Sequence, residues 1–504
     1  MAKEKIEAPK LTGKIETPRI QPGASLACQH HKANEQFLTG LGYPSSLVEN
    51  WQEKAIAKMG ELLNKYKSLK LYLDICVRCG ACADKCQFYL GTGDPKNTPV
   101  GRQELFRKVY RRYFTPAGKL LGNLAGAEDF TEEVLKEWYV YFHHCSQCRR
   151  CCVACPYGID TAEISMAARE IMHSIGLGTK YVDEIILKVF NFGNNLGMQP
   201  KAIKNSLDFC EDEMKEAYEE KGIMDIDVKI PMDVEGAEVL LVVPSADFFA
   251  SPHIESLLGY AKVFYQAGIC WTLSSYASEA GNFGMFIGSY DGMQKVASRI
   301  GQAVRDLKVK RLVIGECGHA YRIAYSFWNT LIGPFDTLDK RYPIPQHICE
   351  FTYDLIKRGA LRLDKEANDE FVVTYHDSCN IARATRMGDM PGGQFEIPRS
   401  IIKACCNKFV DMPQETIREN TFCCGGGAGL LTDEMMDIRI KGAMPRMQAL
   451  KQVIDSHGVN FFALICAICK AQFTKIFPAY GLSMDMVGGV HQLVSRAIVL
   501  GAKE

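Results

Sequence analysis

Eight cysteines carry the first chemistry legible in the chain. Cys76, Cys79, Cys82 and Cys86 follow the spacing C-x2-C-x2-C-x3-C, and Cys145, Cys148, Cys151 and Cys155 repeat it with Pro156 behind the last. Three thiolates placed every third residue on a tight turn can wrap three irons of one cubane. The fourth, whose chain has already turned away, usually serves the neighbouring cluster. The spacing therefore assigns Cys76, Cys79, Cys82 and Cys155 to one cubane 4Fe–4S cluster, and Cys145, Cys148, Cys151 and Cys86 to a second. Paired zinc sites are the competing reading, but zinc favours two C-x2-C pairs over four-cysteine runs. The first run ends in Gln87 where proline is usual, which touches no ligand. Cys152 is a spare thiol, to be read as buried or as a partner in a ligand swap.

A second group lies far along the chain. The stretch TFCCGGGAGL, residues 421–430, sets Cys423 beside Cys424 and follows them with Gly425, Gly426 and Gly427. A disulfide between neighbours is strained, and a packed core gains no volume from glycine. The stretch reads as backbone approaching something large, with both sulfurs aimed at it. YHDSC adds Cys379, and CAIC adds Cys466 and Cys469. Five thiolates exceed what a cubane needs, so an open iron–sulfur assembly is expected, with N–H groups of Gly425 and Gly426 bonding its sulfides. His376 is placed to donate a proton to a leaving thiolate, or else makes a structural hydrogen bond. Cys405–Cys406 is another pair, but KACCNKF lacks the glycines. Cys317 and His319 of GECGHAY are read either as substrate-contacting or proton-supplying groups, or as satisfied core residues. Cys28, Cys210, Cys270 and Cys349 read as ordinary cysteines, and the His30–His31 pair is too isolated for a metal site.

These residues need two kinds of scaffold. The chain has 504 residues, enough for several domains, and equal totals of Lys+Arg and Asp+Glu, which lends no support to nucleic-acid binding. Twenty-one cysteines without an apolar signal core point to metal ligation in a reducing compartment rather than disulfides. No run approaches the ~20 apolar residues of a membrane helix. Residues 1–40 read as an extended arm, disordered alone and ordered on a partner. Residues 41–199 read as a helical ferredoxin domain, with helical patterns in SSLVENWQEKAIAKMGELLNKYKSL and EEVLKEWYVYFHH and a cap at Asp160 paired with Glu163. Residues 200–236 read as a helical linker. Beyond it, short apolar runs (AEVLLVVP, KRLVIGE, EFVVTYHD, NFFALIC) alternate with helices and predict parallel sheets in α/β units. A weak internal repeat matches LLVVPSAD with FVVTYHDSC and LVIGECGHAYRI with ALICAICKAQFT. It divides this half into two similar lobes, 237–365 with incomplete ligands and 366–504 with the full set; chance similarity of β–α units is the alternative. The fold class is thus α plus α/β: a helical domain with two cubanes, then two α/β lobes with small parallel sheets.

The cysteine pattern after residue 370 resembles the CCG domain of the heterodisulfide reductase family. Two ferredoxin motifs followed by CCG-like lobes are similar to its fused, HdrD-type catalytic subunits. CVRCGACADKCQFYLGTGDPKNTPVGRQELFRKVYRRYF is similar to the DsrK-type iron–sulfur subunits of the sulfite-reduction-associated membrane complex. The resemblance spans most of residues 40–500. It implies that Cys379, Cys423, Cys424, Cys466 and Cys469 hold a non-cubane 4Fe–4S cluster that cleaves a sulfur–sulfur bond. It also implies electrons from menaquinol through a DsrM-like membrane cytochrome b subunit, a disulfide or trisulfide on the sulfur carrier DsrC as acceptor, and further DsrJOP-like subunits. The chain would then sit peripherally on the cytoplasmic face of the membrane, in dissimilatory sulfur metabolism. The gaps of 43 and 41 residues on either side of Cys423–Cys424 are slightly long for the family, which concerns loops more than ligands. Two other readings stand: a pure electron-transfer subunit, and the iron–sulfur subunit of a glycolate, lactate or glycerol-3-phosphate dehydrogenase with a flavin partner. GTGDPKN favours the sulfur complex.

Overall fold

The computed structural model describes residues 6–18 and 33–501. Cys28, His30 and His31 lie outside the described residues. The chain divides into two compact units that do not follow chain order: 1–184 with 283–290 and 422–449, and 185–282 with 291–421 and 450–504.

The first unit is built from helices. In the helix Glu132–His143, Leu135, Trp138, Tyr139 and Phe142 recur at the spacing of one helical face, and all four are fully buried. Thr131 caps it by accepting from the Val134 N–H, and Glu132 and Glu133 favour its positive end. Trp138 stacks on Phe106 at 4.8 Å between centroids, and its indole N–H donates to Leu105 O at 3.1 Å, so its polar edge is satisfied inside the core. Burying each such side chain contributes ~2 kcal/mol. The helix Thr161–Ser174 begins where expected, with Asp160 accepting from the Ala162 N–H at 2.9 Å. Glu163 does not close a capping box; it accepts from the Ser68 hydroxyl instead.

The arm differs from expectation. Residues 6–18 lie against their own chain: the Gly13 N–H donates to Gln448 Oε1 at 2.7 Å, and the Gln448 amide donates to Lys10 O at 3.3 Å. Ile15 packs on Leu90, Phe422 and Met444, and Tyr89 O–H donates to Pro18 O at 2.9 Å. One apolar side chain and a few backbone bonds hold a segment whose composition reads as disordered.

The second unit holds two parallel sheets. One has the order β2-β1-β3-β4, from β1 (Val239–Val242), β2 (Trp271–Thr272), β3 (Arg311–Ile314) and β4 (Gln346–His347). The other has the order β5-β6-β7, from β5 (Val373–His376), β6 (Phe461–Leu464) and β7 (Val487–Gly489). Every strand pair is parallel, and β1, β3, β5 and β6 are buried along their whole length, which is why they read as unbroken apolar runs. Parallel strands deliver the chain to one edge, where α/β sheets place their sites. Here β3 leads into Glu316 and Cys317, β5 into Cys379 and β6 into Cys466. Among the described residues no helix is long and apolar enough to cross a membrane.

Candidate iron–sulfur sites

Both ferredoxin-type motifs fold as the same turn. In the first, Arg78 and Gly80 have φ of 56° and 77°; in the second, Gln147 and Arg149 occupy the same offsets at 55° and 63°. Three of these four are not glycine, and L residues adopt this region at a cost. That strain, repeated at identical offsets, aims successive thiols toward one point.

Two hollows result. The first, with 390 Å³ of space between protein atoms, is lined by Cys76, Cys79, Cys82 and Cys155, with Cys151 also at its wall. The second, with 340 Å³, is lined by Cys86, Cys145, Cys148 and Cys151. Each therefore gathers three thiols of one motif and the last of the other. Cys152 lines neither, and its thiol donates to Gly158 O at 3.8 Å.

The electrostatics fit a cationic cluster. Burial pushes the Cys82 thiol up to about 12, with Cys76 and Cys155 adding to the rise. Burial, then Cys148 and Cys145, drive Cys151 well up. Thiols this crowded cannot ionise together without a bound cation to share. Arg102 is buried beside the second hollow, donating to Cys86 Sγ at 3.4 Å, Tyr141 O at 2.8 Å and Asn97 Oδ1 at 3.0 Å. A fixed guanidinium there bonds the Cys86 sulfur and would offset thiolate charge, as outer-shell groups of metal sites do.

Cys270 is exposed, whereas Cys317, Cys379, Cys405, Cys406, Cys423, Cys424, Cys466 and Cys469 are all buried. In the second unit, β5 and β6 are neighbours with His376 opposite Leu464, so Cys379 and Cys466 leave adjacent strand ends. Cys466 is bonded by Cys317 and Cys469, and these bonds, with His319, hold its thiol well below the usual range against burial. The His319 Nδ1 lies 3.8 Å from Cys466 Sγ. Cys317 and His319 thus stand against the C-x2-C pair. His376 is enclosed by the rings of Phe462 and Phe473, with centroids 5.8 and 5.4 Å away. Cys405 ends the helix Gly393–Cys405, and burial raises both its thiol and that of Cys406.

Cys423 and Cys424 belong to the first unit, each 1% exposed. Gly425 follows in the left-handed region at φ 91°, where an added Cβ would meet Arg439 O at 2.8 Å and Ala443 N at 2.9 Å. The backbone of the helix Met436–His457 passes directly over this glycine, which gives Gly425 a packing reason of its own. Gly425→Ala combines a disfavoured φ with a clash against rigid backbone. We expect it to cost ~3 kcal/mol, read as a lower midpoint in anaerobic denaturant unfolding, while Gly80→Ala, whose Cβ would meet nothing within 4 Å, costs only its φ strain of ~1 kcal/mol.

Residues that spacing did not reveal surround the Cys317–Cys466 contact. Lys470 Nζ, fully buried, lies 2.6 Å from Glu316 Oε2 and 2.6 Å from Ser256 Oγ. Glu316 Oε1 also accepts from the His491 backbone N–H at 2.8 Å and faces its Nδ1 at 2.8 Å. Burial alone would raise Glu316, but Lys470 and His491 hold it far below the usual carboxylate range. Glu316, Cys349 and His491 bring one ligand atom each within 4.8 Å, yet the Lys470 ammonium already neutralises that carboxylate.

Paired thiol-lined hollows on a repeated turn define an iron–sulfur protein of the dicluster ferredoxin class. The 4Fe-4S dicluster domain family matches residues 72–159. The chain is 41% identical to the Hdr-like menaquinol oxidoreductase iron–sulfur subunit 2 of Archaeoglobus fulgidus, over 90% of this chain and 85% of that one. It is 40% identical to the corresponding subunit of Archaeoglobus profundus over the same shares. It is 26% identical to a subunit of the dihydromethanophenazine:CoB–CoM heterodisulfide reductase of Methanosarcina acetivorans, over 79% of this chain and 87% of that one. No solved structure matches significantly. The chain belongs to the family of Hdr-like menaquinol oxidoreductase iron–sulfur subunits.

Proposed function

We propose that this chain is the catalytic iron–sulfur subunit of a membrane-associated, menaquinol-linked thiol–disulfide oxidoreductase of dissimilatory sulfur metabolism. Cys76, Cys79, Cys82 and Cys155 hold one cubane, Cys145, Cys148, Cys151 and Cys86 the other, and Cys379, Cys423, Cys424, Cys466 and Cys469 a non-cubane 4Fe–4S cluster. When bound, the cubanes pass single electrons and the non-cubane cluster offers open iron to a substrate sulfur. The chain's own residues flank these groups: Arg102 offsets charge beside the second cubane, and Cys317 and His319 stand beside Cys466. The electron source is a DsrM-like membrane cytochrome b subunit on which the chain docks from the cytoplasmic side, with DsrJOP-like subunits completing the assembly. The acceptor is a disulfide or trisulfide on the C-terminal cysteines of DsrC.

One observation carries this reading. A chain 41% identical to menaquinol oxidoreductase subunits keeps five further cysteines in the CCG pattern, all buried and outside the dicluster domain. The test supplies reduced methyl viologen and a disulfide-bonded DsrC-type carrier to the anaerobically purified chain, and measures thiol release. Wild type is expected to release thiols. Cys424→Ser is expected to lose that activity and the paramagnetic signal formed on oxidation with thiol, while both cubane signals remain. Thiol release unchanged in Cys424→Ser would sink the assignment.

A further inference from the structure

Three leucines of the helical unit stand out in solvent. Leu120 is 84% exposed, Leu121 51% and Leu124 90%, all within five residues of sequence. Single exposed leucines are ordinary, but three together make a patch. They lie on the short helix Pro116–Leu121 and on the turn Gly122–Ala125 that follows it. The frame beneath them is well tied. Thr115 Oγ1 accepts from the Gly118 N–H at 3.1 Å, and Pro116 takes the first helical position. Gly118 lies so close to the preceding helix Pro99–Phe114 that a Cβ there would collide with Arg111 O. Arg112 Nη1 donates to Lys119 O and Arg111 Nη1 to Ala125 O, both at 3.3 Å. A packed support therefore holds the leucines outward.

Charge around the patch has one sign. Residues 105–127 contain Arg107, Lys108, Arg111, Arg112 and Lys119, and no Asp or Glu. Glu104 takes up Arg107, while Glu128 and Asp129 pair with Lys108 and Arg112 at the rim. That leaves the Arg111 and Lys119 charges beside the leucines. The strip also runs on to the first thiol-lined hollow. Where the turn ends, a Cβ on Gly126 would lie 2.9 Å from Arg111 Nη1 and 4.0 Å from Arg78 Nη2. Arg78 lines that hollow, as do Val77, Cys79 and Tyr157, all three of them exposed.

We propose that this strip is a lipid-contact surface: Leu120, Leu121 and Leu124 enter the headgroup–acyl boundary of an anionic bilayer, Arg111 and Lys119 meet its phosphates, and the mouth of the first hollow turns toward the membrane. Leucines beside Lys and Arg, with acids kept to the rim, are the composition of segments that lie in a membrane interface. The apolar face of a membrane protein would call for the leucines without the excess of cations. A second copy of this chain would bring like charges together across a two-fold axis. Three leucines and two cations make a small contact, so binding is reversible and salt-sensitive, an aid to docking rather than a permanent anchor. This goes beyond the function proposed above, which seats the chain on a membrane protein, and does not depend on it.

The test sediments the full cluster-loaded chain anaerobically with vesicles of phosphatidylcholine, alone or mixed with phosphatidylglycerol. Wild type should bind the mixed vesicles, and bind them less at about 1 M salt, where charges are screened beyond about 3 Å. Leu120→Ser combined with Leu124→Ser should lower the vesicle binding constant about tenfold, and Lys119→Glu should weaken the preference for anionic lipid. These side chains are exposed, so denaturant midpoints and iron content should match wild type. Leu124→Trp should gain a fluorescence component quenched by brominated acyl chains in bound protein. A wild type that ignores anionic vesicles, or a leucine variant that binds them equally well, overturns the proposal. Binding only to vesicles that carry a membrane partner subunit assigns the leucines to that protein and overturns it too, as does self-association that the leucine variant loses. None of these outcomes bears on thiol release, so the proposed function stands or falls separately.

Discussion

Lys470→Met is expected to cost the fold ~3–5 kcal/mol, the range seen when one partner of a buried ion pair is removed. Both Lys470 and Glu316 are 0% exposed, so no water reaches the carboxylate once the ammonium is gone. His491 remains as a hydrogen-bond partner at 2.8 Å. Glu316 would instead take up a proton, giving up the strong depression that its partners impose. The sign is definite: a carboxylate depressed in the fold contributes stability above its unfolded value near 4, and that contribution is lost as pH falls below it. Wild type should therefore lose this increment on acidification, and Lys470→Met should show little of that loss. The double variant Lys470→Met with Glu316→Gln should recover much of the deficit, because the amide oxygen still accepts from the His491 N–H while no charge is stranded. Anaerobic denaturant midpoints for wild type and the two variants, at neutral pH and well below about 4, test this. A single variant within ~1 kcal/mol of wild type would show that solvent or another cation reaches Glu316.

That network explains what the sequence could and could not disclose. The dicluster domain is legible because its motif sets three cysteines within seven consecutive residues, so spacing alone marks it. β1, β3, β5 and β6 were legible because strands buried on both faces must be unbroken apolar runs. β2, β4 and β7 were not, since two or three residues such as Trp271–Thr272 or Gln346–His347 carry no pattern. Lys470 and Glu316 are separated by 154 positions, and each reads locally as a solvated charge. Glu279 sits in SSYASEA, where nothing marks it as buried. Only the weak repeat marks Cys317 in the sequence, and only the structure sets it against Cys466. Charges that work by meeting across long loops leave no periodicity behind.

Arg169→Met should be the most disruptive single change in the helical unit. Its guanidinium, 1% exposed, is consumed by carbonyl oxygens of three separate segments. It donates to Phe142 O at 2.8 Å, His143 O at 3.3 Å and Cys145 O at 2.7 Å, and through Nη1 to Phe286 O at 2.7 Å and Ala428 O at 2.9 Å. Burial lowers the group only to about 10, so it keeps its charge at neutral pH. Methionine fills similar volume but offers no donor. Five buried carbonyls then lose a charge-assisted bond, and each left unsatisfied costs ~1–3 kcal/mol. Relaxation and water entry recover part of that sum, so we expect a net loss of ~4–6 kcal/mol or failure to accumulate. Ala428 gives a local signature: it is held at φ 55°, a strained setting for alanine that persists only while its carbonyl is tied down. Amide exchange should therefore accelerate first across residues 283–290 and 422–430, before the helix Glu132–His143 is affected. The Cys145 carbonyl is also freed, so the second thiol-lined hollow should loosen and iron content per chain should fall. Arg169→Lys separates geometry from charge: an ammonium reaches some of these oxygens but cannot span all three segments, so it should keep more iron and still exchange faster at 422–430. Iron content and exchange rates equal to wild type in Arg169→Met would mean that these three segments are held together by something other than this guanidinium.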